Sequence, residues 1–183
     1  MDQEVILVNE RDELQGVMEK MEAHKKGLLH RAFSVFIFNS KGEMLLQQRA
    51  KNKYHSAGLW TNACCSHPGP GEDIEIAAKR RLREELGFVT GLKKIFDFTY
   101  RHTFENGLTE FEFDHVFVGT YNNFISPDKD EVEDYCFKAL DEIRSSLQSH
   151  PRKYTPWFHI AFPMVEEWVK KSKEQEETAS LNQ

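Results

Sequence analysis

The feature that most constrains the fold is an irregular segment followed at once by a strongly patterned helix. Residues 51–71, KNKYHSAGLWTNACCSHPGPG, are rich in glycine and proline and long for a connection, which favours a functional loop. From Glu72 the pattern is helical and Gly87 is a suitable stop. Four apolar residues form its stripe: Ile74, Ala78, Leu82 and Leu86. The sequence therefore predicts a loop with reactive side chains next to an amphipathic helix.

Apolar and β-branched runs on both sides of this helix predict strands. They are VILVN at 5–9, AFSVFIF at 32–38, MLLQQRA at 44–50, FDFTYRHTF at 96–104, TEFEFDHVFVGTY at 109–121 and a run near 133–137. ERDELQG, at 10–16, is interpreted as a polar turn. Helices are expected around 140–147 and 158–171, and residues from about 173 to 183 as a frayed tail. This order indicates one mixed α/β (α+β) domain over residues 1–183, with a sheet between helices.

The composition argues against several classes of protein. Of the 183 residues, 39% are hydrophobic and 30% charged, and the net charge of −6 offers no general basic surface for nucleic acid. No stretch approaches the ~20 apolar residues of a membrane span. The acidic start MDQEVILVNE lacks the features of a secretion signal, so a cytoplasmic location is expected. Three cysteines are too few for a disulfide framework.

Charged residues accompany the apolar stripe in RRLREELGF, residues 80–88. Arginine and glutamate lie four residues apart here, which for an isolated pair most often means a solvated ion pair. The longer frame, however, resembles the Nudix box: Ser66-x5-Glu72-x7-Arg80-Arg81-Leu82-x-Glu84-Glu85-x-Gly87-Phe88. Such a helix directs carboxylates toward a divalent cation on a diphosphate. Ser66 replaces a glycine and Arg81 a metal-binding glutamate, so we expect diphosphate recognition without ordinary hydrolysis.

A second group of polar residues lies in TEFEF, residues 109–113. Glu110 and Glu112 are two residues apart, so on a strand both project from one face. A lone pair of this kind is most often an exposed polar face. Three histidines, at 24, 30 and 67, fall in irregular or terminal segments, and each alone is more often a surface or core residue. Histidine with carboxylate is nevertheless a common ligand set for a transition metal.

Together these features are similar to the type I isopentenyl-diphosphate isomerases, a family with the Nudix fold. The resemblance covers about residues 5–171, and its most specific pieces are EKMEAH (19–24), GLWTNACCSHP (58–68), RRLREELG (80–87), TEFEF (109–113) and YTPWF (154–158). It implies a Nudix-like mixed β-sheet sandwiched between helices, with added N-terminal strands and C-terminal helices.

The resemblance implies interconversion of isopentenyl and dimethylallyl diphosphate in isoprenoid biosynthesis, through a tertiary carbocation-like state. The partner is then a small prenyl diphosphate, with no nucleic acid and no membrane insertion, and the protein is a monomer or a homodimer. The alternatives are a Nudix diphosphate hydrolase and a non-catalytic module that binds diphosphate.

The resemblance also implies roles for single residues. Cys65 and Glu112 match the proton-transfer groups, Trp157 the aromatic residue over the cation, and Tyr100 a tyrosine that hydrogen-bonds the catalytic glutamate. A divalent metal, Mn²⁺ or Mg²⁺ and sometimes Zn²⁺, is implied at His24, His30, His67, Glu110 and Glu112. A second cation, Mg²⁺ held with the diphosphate, is implied at Glu85 and the backbone carbonyl near Cys65. The diphosphate itself is implied at Lys20, Arg49, Lys53 and Arg81.

The implied role of Tyr100 conflicts with the simplest hairpin. A two-residue Asn106-Gly107 turn would pair Tyr100 with Phe113 and leave it on the face opposite Glu112. We therefore predict that the register is shifted by one residue through a longer loop or a bulge.

Four remaining residues are expected to take no direct part in the site. Cys64 should point away from Cys65, Cys136 should be a packing residue, and His55 and His102 should lie at the surface.

The Cys65 thiol suits proton transfer if nearby cations lower its pKa from about 8.5. The KKGLL spacer between His24 and His30 differs from the family and affects how those two ligands reach a metal.

Overall fold

The strands predicted from apolar runs form one mixed sheet. The structure is a computed structural model that describes residues 3–181. Within them the strands are β1 Glu4–Val8, β2 Leu14–Glu19, β3 His30–Phe38, β4 Met44–Arg49, β5 Trp60–Thr61, β6 Cys64–Ser66, β7 Leu92–Thr103, β8 Thr109–Thr120 and β9 Val132–Lys138. The helices are α1 Lys20–Lys26, α2 Ile74–Leu86, α3 Leu140–Ser149 and α4 Pro156–Leu181, with a 3-10 turn at Pro151–Lys153.

Strand β3 is the centre of the sheet and positions most of the site. It runs parallel to β8, with His30 opposite Glu112 at one end and Phe38 opposite Thr120 at the other. It also pairs antiparallel with β1, β4 and β6. Both faces of β3 are covered, which explains why its sequence is an almost continuous apolar run.

Successive residues of β3 enter two different hydrophobic cores. Val35 packs on the side of α2, with Leu82 among its neighbours, and Phe36 packs on the side of α4, where it meets Phe158. The rings of Phe36 and Phe158 are stacked with centroids 6.3 Å apart. This alternation follows from the two-residue period of a strand. The predicted mixed sheet between helices is confirmed.

Helix α2 begins and ends where its sequence predicts. The Asp73 side chain caps it by accepting hydrogen bonds from the backbone N–H groups of Glu75 and Ile76, at 2.9 and 3.0 Å. It ends at Gly87, whose φ of 76° is left-handed, and a Cβ atom there would lie 2.6 Å from the carbonyl oxygen of Ser126. The predicted apolar stripe is the face that packs on the sheet.

Replacing Leu82 by alanine is expected to lower the free energy of unfolding by about 2–5 kcal/mol, because its side chain is fully buried and the helix and sheet cannot close the cavity. Urea denaturation measures the change. The matched control is Ile76→Ala on the same helix, at a side chain 63% exposed, where a change within about 0.5 kcal/mol is expected. Similar losses in the two variants would contradict this packing.

The structure corrects the prediction for the N-terminal segment. The polar turn was expected over ERDELQG, but only residues 9–13 form it, and the next residues are strand β2 and helix α1. The strand was not evident because Leu14 and Val17 are exposed, so no apolar alternation marks it. Backbone pairing with β1, in which Glu4 lies opposite Glu19, holds this segment in the strand conformation instead.

The C-terminal segment was also predicted wrongly. In place of fraying from about residue 173, α4 continues to Leu181. Residues 173–180 are exposed and contain good helix formers, so the packed part of the helix is extended without further burial. The end of the predicted tail, residues 182–183, lies outside the described residues. None of the helices in residues 3–181 has the length and apolar character needed to cross a membrane.

Candidate active site

Most of the predicted site residues line one cavity of about 140 Å³. Its walls come from α1, β3, β4, the loop before β5, β6, α2, β8 and the start of α4. Ten predicted residues line it: Lys20, Arg49, Lys53, Cys65, His67, Arg81, Glu85, Glu110, Glu112 and Trp157. The other three, His24, His30 and Tyr100, are buried beside it. Side chains from distant parts of the sequence thus share one polar enclosure.

Four of the five predicted metal ligands form a compact buried group. Ligand atoms of His24, His30, His67 and Glu112 all lie within 4.8 Å of one another. The parallel pairing of β3 with β8 places His30 beside Glu112. The His67 Nε2 atom lies 2.9 Å from Glu112 Oε1 and 3.2 Å from His30 Nε2. The arrangement concentrates ligand atoms at one point.

The spacer between His24 and His30 does not separate these ligands. Helix α1 ends at Gly27, whose φ of 61° is left-handed, and the chain turns there into β3. The rings of His24 and His30 therefore lie with centroids 5.0 Å apart.

Hydrogen bonding and charge in this group fit a divalent cation. His24 is fully buried, and neither of its ring nitrogens has a hydrogen-bond partner within residues 3–181, which is rare for buried polar atoms. Burial, with His67 and His30 close by, lowers the pKa of His24 to about 3, so its imidazole is neutral. Burial opposes ionisation of Glu112, but hydrogen bonds with His30 and His67 outweigh it and lower the pKa of Glu112. Burial lowers the pKa of His67 as well, whereas hydrogen bonding with Glu112 outweighs burial and raises the pKa of His30. Imidazoles with a carboxylate are a suitable donor set for a metal.

Glu110 lies outside this group and contacts His55, which was predicted to lie at the surface. Glu110 Oε1 lies 2.9 Å from His55 Nε2. His55 is only 7% exposed, because its loop folds over the site and its ring stacks on Phe104 with centroids 4.3 Å apart. The surface prediction for His55 was wrong, and nothing in KNKYHS signals its burial. His102 is partly exposed, with its ring centroid 4.7 Å from that of Phe104.

The two adjacent cysteines separate as the sequence predicts. Strand β6 pairs with β3 so that Cys65 lies opposite Ser34 and Cys64 opposite Val35. Cys64 is fully buried in the core on the side of α2, whereas Cys65 lines the cavity. The third cysteine, Cys136, packs at the edge of the other core, as expected.

The electrostatic surroundings of Cys65 differ from the expectation. Its thiol donates a hydrogen bond to Asn62 Oδ1 at 3.1 Å and lies 3.4 Å from Ser34 Oγ. Burial, and then the nearby Asp114 carboxyl, raise the pKa of Cys65 above its usual value. The expected lowering of the pKa by cations is not found, because burial and the carboxyls of Asp114 and Glu112 oppose ionisation of the thiol. The thiol is therefore neutral.

Asp114 was missed by the sequence reasoning. It is buried, and its Oδ2 atom accepts a hydrogen bond of 2.6 Å from Ser34 Oγ. Burial and the neighbouring Glu112 raise the pKa of Asp114 well above its usual value. A signal was available, since acidic residues at 110, 112 and 114 alternate along β8 and share one face.

The predicted register shift in the β7–β8 hairpin is confirmed. Tyr100 pairs with Glu112 rather than Phe113, and Thr103 pairs with Thr109. The loop is longer than two residues: the Phe104 N–H donates to the Leu108 carbonyl at 2.8 Å. Gly107, with φ of 81°, supplies the left-handed residue that such loops require. The shift puts Tyr100 on the face of Glu112.

Two buried polar atoms, the Tyr100 hydroxyl and the Trp157 Nε1, have no hydrogen-bond partner in the part of the chain that the structure describes. The implied hydrogen bond from Tyr100 to the glutamate is thus not formed. The two rings lie with centroids 6.5 Å apart, and the Arg49 guanidinium lies 5.3 Å from the Trp157 ring. Of the two aromatic residues, Trp157 lines the cavity and Tyr100 lies behind it.

The four predicted diphosphate-binding cations line the cavity together with acidic residues. Arg81 donates to Glu85 at 2.6 Å, and Lys53 forms an ion pair with Glu131. Lys20 lies 5.1 Å from the centre of the Tyr54 ring. Glu131 was missed because DKDEVED gives no sign which acid turns inward. Basic groups with carboxylates suit an anionic ligand that brings its own divalent cation.

Comparisons with known proteins give both the fold and a family. The NUDIX domain profile matches residues 28–158. The chain is 48% identical over 165 residues to "Isopentenyl-diphosphate Delta-isomerase" of Pectobacterium atrosepticum, covering 90% of this chain and 92% of that one. It is 46% identical over 173 residues to "Isopentenyl-diphosphate Delta-isomerase 2" of Photorhabdus laumondii, covering 92% and 98%.

Solved structures at low sequence identity share the fold alone. The MutT protein from Methanosarcina mazei Go1 superposes with a TM-score of 0.64 at 22% identity, covering 78% of this chain and 96% of that one. A MutT NUDIX hydrolase from Burkholderia pseudomallei superposes with a TM-score of 0.54 at 21% identity, covering 74% and 96%.

Proposed function

The chain belongs to the isopentenyl-diphosphate Delta-isomerases with a NUDIX domain, and from that membership we propose that it interconverts isopentenyl and dimethylallyl diphosphate. The observation that carries the proposal is that a thiol, Cys65, and a carboxylate, Glu112, line the same small cavity beside a cluster of cations. These are the groups that proton transfer on a short diphosphate requires.

The alternative of a Nudix diphosphate hydrolase is disfavoured by Arg81. This residue stands in the Nudix helix where a metal-binding glutamate is expected, and it donates to Glu84 at 2.7 Å and to Glu85 at 2.6 Å. A guanidinium among these carboxylates reduces their capacity to hold the cations that a hydrolase needs. It remains well placed to bind phosphate oxygens.

The diphosphate end of the substrate is proposed to lie against the basic side chains of the cavity. Four side chains would contact its oxygens: Lys20, Arg49, Lys53 and Arg81. Glu85 accepts a hydrogen bond of 2.9 Å from Gln47 Nε2 and has its carboxylate at the cavity wall, so we assign it with the Cys65 carbonyl to a Mg²⁺ ion that accompanies the diphosphate.

The buried histidine group is proposed to hold a second divalent ion. His24, His30, His67 and Glu112 would bind it, with Glu110 next to them, and Mn²⁺ or Mg²⁺ is the proposed metal, with Zn²⁺ as a further candidate. When bound, the ion supplies a fixed positive charge beside the Glu112 carboxylate. Three imidazoles with carboxylates are more ligands than a catalytic zinc usually takes.

The reaction moves one double bond without changing the molecular formula. One alkene carbon gains a proton, and the carbon on the other side of the tertiary centre loses one. Cys65 and Glu112 are proposed to carry out these two transfers, with Tyr100 next to Glu112 on the same sheet face. Trp157 is proposed to face the cationic carbon, an interaction of about 2 kcal/mol in a desolvated site.

Incubation of the protein with isopentenyl diphosphate and Mg²⁺ in D2O tests the proposed reaction. The expected result is dimethylallyl diphosphate together with deuterium in the recovered substrate and product, measured by NMR and mass spectrometry. A hydrolase would instead release phosphate or a monophosphate without isomerisation. Heat-denatured protein under the same conditions is the control.

A further inference from the structure

We propose that Asn62 is a positioning residue that orients the Cys65 thiol, and that Thr61 and Thr155 hold it in place and join it to the segment carrying Trp157. The inference rests on the proposed function, in which Cys65 transfers a proton. It gives a role to residues in two of the most specific motifs, WTN and YTPWF, that the assigned chemistry does not use.

The orientation of the Asn62 side chain follows from its hydrogen bonds. Asn62 is fully buried between β5 and β6. Its Nδ2 donates to the backbone carbonyls of Val35 and Cys64, each at 3.0 Å. Both carbonyl oxygens can only accept, so the amide nitrogen must face them and the opposite flip would place oxygen against oxygen. The Oδ1 atom is thereby directed to the other side.

This oxygen is the hydrogen-bond acceptor for the Cys65 thiol. Asn62 Oδ1 accepts from Cys65 Sγ at 3.1 Å and from Thr61 Oγ1 at 2.9 Å. The second neighbour of the sulfur, Ser34 Oγ at 3.4 Å, donates its own proton to Asp114 Oδ2 at 2.6 Å, so toward the thiol it can only accept. Asn62 Oδ1 is the nearer of the two acceptors, at 3.1 Å against 3.4 Å, and so sets the preferred direction of the Cys65 proton. Without Asn62 Oδ1, the thiol hydrogen would turn about the Cβ–Sγ bond toward Ser34.

The same hydrogen bonds extend to the segment that carries Trp157. Thr155 is fully buried, and its Oγ1 donates to Thr61 Oγ1 at 2.9 Å. Its N–H also donates to the Trp60 carbonyl at 3.0 Å. Each hydroxyl has one proton, so the bonds run from Thr155 to Thr61 to Asn62. Thr155 lies two residues before Trp157, so these buried hydrogen bonds join the thiol to the backbone segment that carries the indole, which favours a rigid arrangement.

Three variants of the full, metal-loaded chain test the inference. Asn62→Leu removes the acceptor, Thr61→Val removes only the hydroxyl, and Thr61→Ser restores it. Steady-state kinetics with isopentenyl diphosphate should show kcat lowered about 10- to 100-fold in Asn62→Leu and less in Thr61→Val, with KM unchanged and Thr61→Ser close to wild type. Thr90→Val, which removes a hydroxyl bonded to the Thr120 carbonyl at 2.7 Å outside the site, is the control.

A second measurement follows the thiol directly. The rate at which iodoacetamide alkylates Cys65, read from its peptide by mass spectrometry, should change in Asn62→Leu and stay the same in Thr90→Val. A loss confined to KM or metal content would assign Asn62 to binding or folding and overturn the inference. So would a kcat within about two-fold of wild type in both Asn62→Leu and Thr61→Val.

The proposed function can fail separately. If the wild-type chain does not isomerise the substrate, that function is wrong, whereas the alkylation rates still report on the contact between Asn62 and Cys65. If Asn62→Leu does not fold, the pair Thr61→Val and Thr61→Ser decides: unequal kcat values support the network and equal values refute it.

Discussion

Replacing Cys65 by alanine is expected to lower kcat by about 10²- to 10⁴-fold while the protein stays folded, because a proton-transfer group is lost from the cavity. The side chain is not part of either hydrophobic core, so truncation leaves no large buried cavity. Rapid-quench or steady-state assays with isopentenyl diphosphate measure the rate, and thermal unfolding measures stability.

The neighbouring cysteine provides the matched control. Cys64 is fully buried on the opposite face of β6, so Cys64→Ala should keep most of the activity and reduce stability by roughly 1 kcal/mol. The two substitutions remove the same atoms from adjacent residues, and only the direction of the side chain differs. Equal losses of activity would refute the assignment of Cys65 as the working thiol.

Replacing Glu112 by glutamine is expected to remove both metal and turnover. The amide has nearly the same shape but no charge, and it faces His30 and His67 at the centre of the metal-ligand group. Metal affinity should fall at least about 100-fold, and kcat should fall with it. Elemental analysis of the purified protein and metal titration by calorimetry measure binding apart from activity.

Glu105→Gln, an exposed residue in the same hairpin, removes the same charge outside the site and should change neither quantity. Full metal content together with full activity in Glu112→Gln would exclude Glu112 from both proposed roles. Full metal content with lost activity would keep Glu112 as a proton-transfer group and place the metal on the histidines.

Local sequence patterns were sufficient to predict the helices and strands whose own residues mark a buried face. The apolar run of β3, the stripe of α2 and the alternation in β8 each encode a buried face directly. Strand β2 was missed because its exposed side chains carry no such pattern, and pairing with β1 forms it. The C-terminal end of α4 was missed because an exposed, highly charged helix and a disordered tail have similar amino-acid compositions.

The site was predictable where residue types alone suggest the chemistry. Cysteine, histidine and paired glutamates stand out in a sequence, and so does the alternation that would have included Asp114. His55 and Glu131 could not be found in this way. Each is one polar residue among several in its loop, and its inward direction depends on loop conformations that strands elsewhere in the chain impose.

The sequence by itself determined the periodicities, and with them the fold class, the helix that carries Arg81 and Glu85 and the separation of Cys64 from Cys65. Tertiary structure alone decided the contacts between distant segments. The parallel pairing of β3 with β8 joins His30 to Glu112, and the three-residue hairpin loop turns Tyr100 toward the same face. The physical reason is that side-chain direction follows from local backbone period, whereas register and distance between strands depend on how the whole sheet packs.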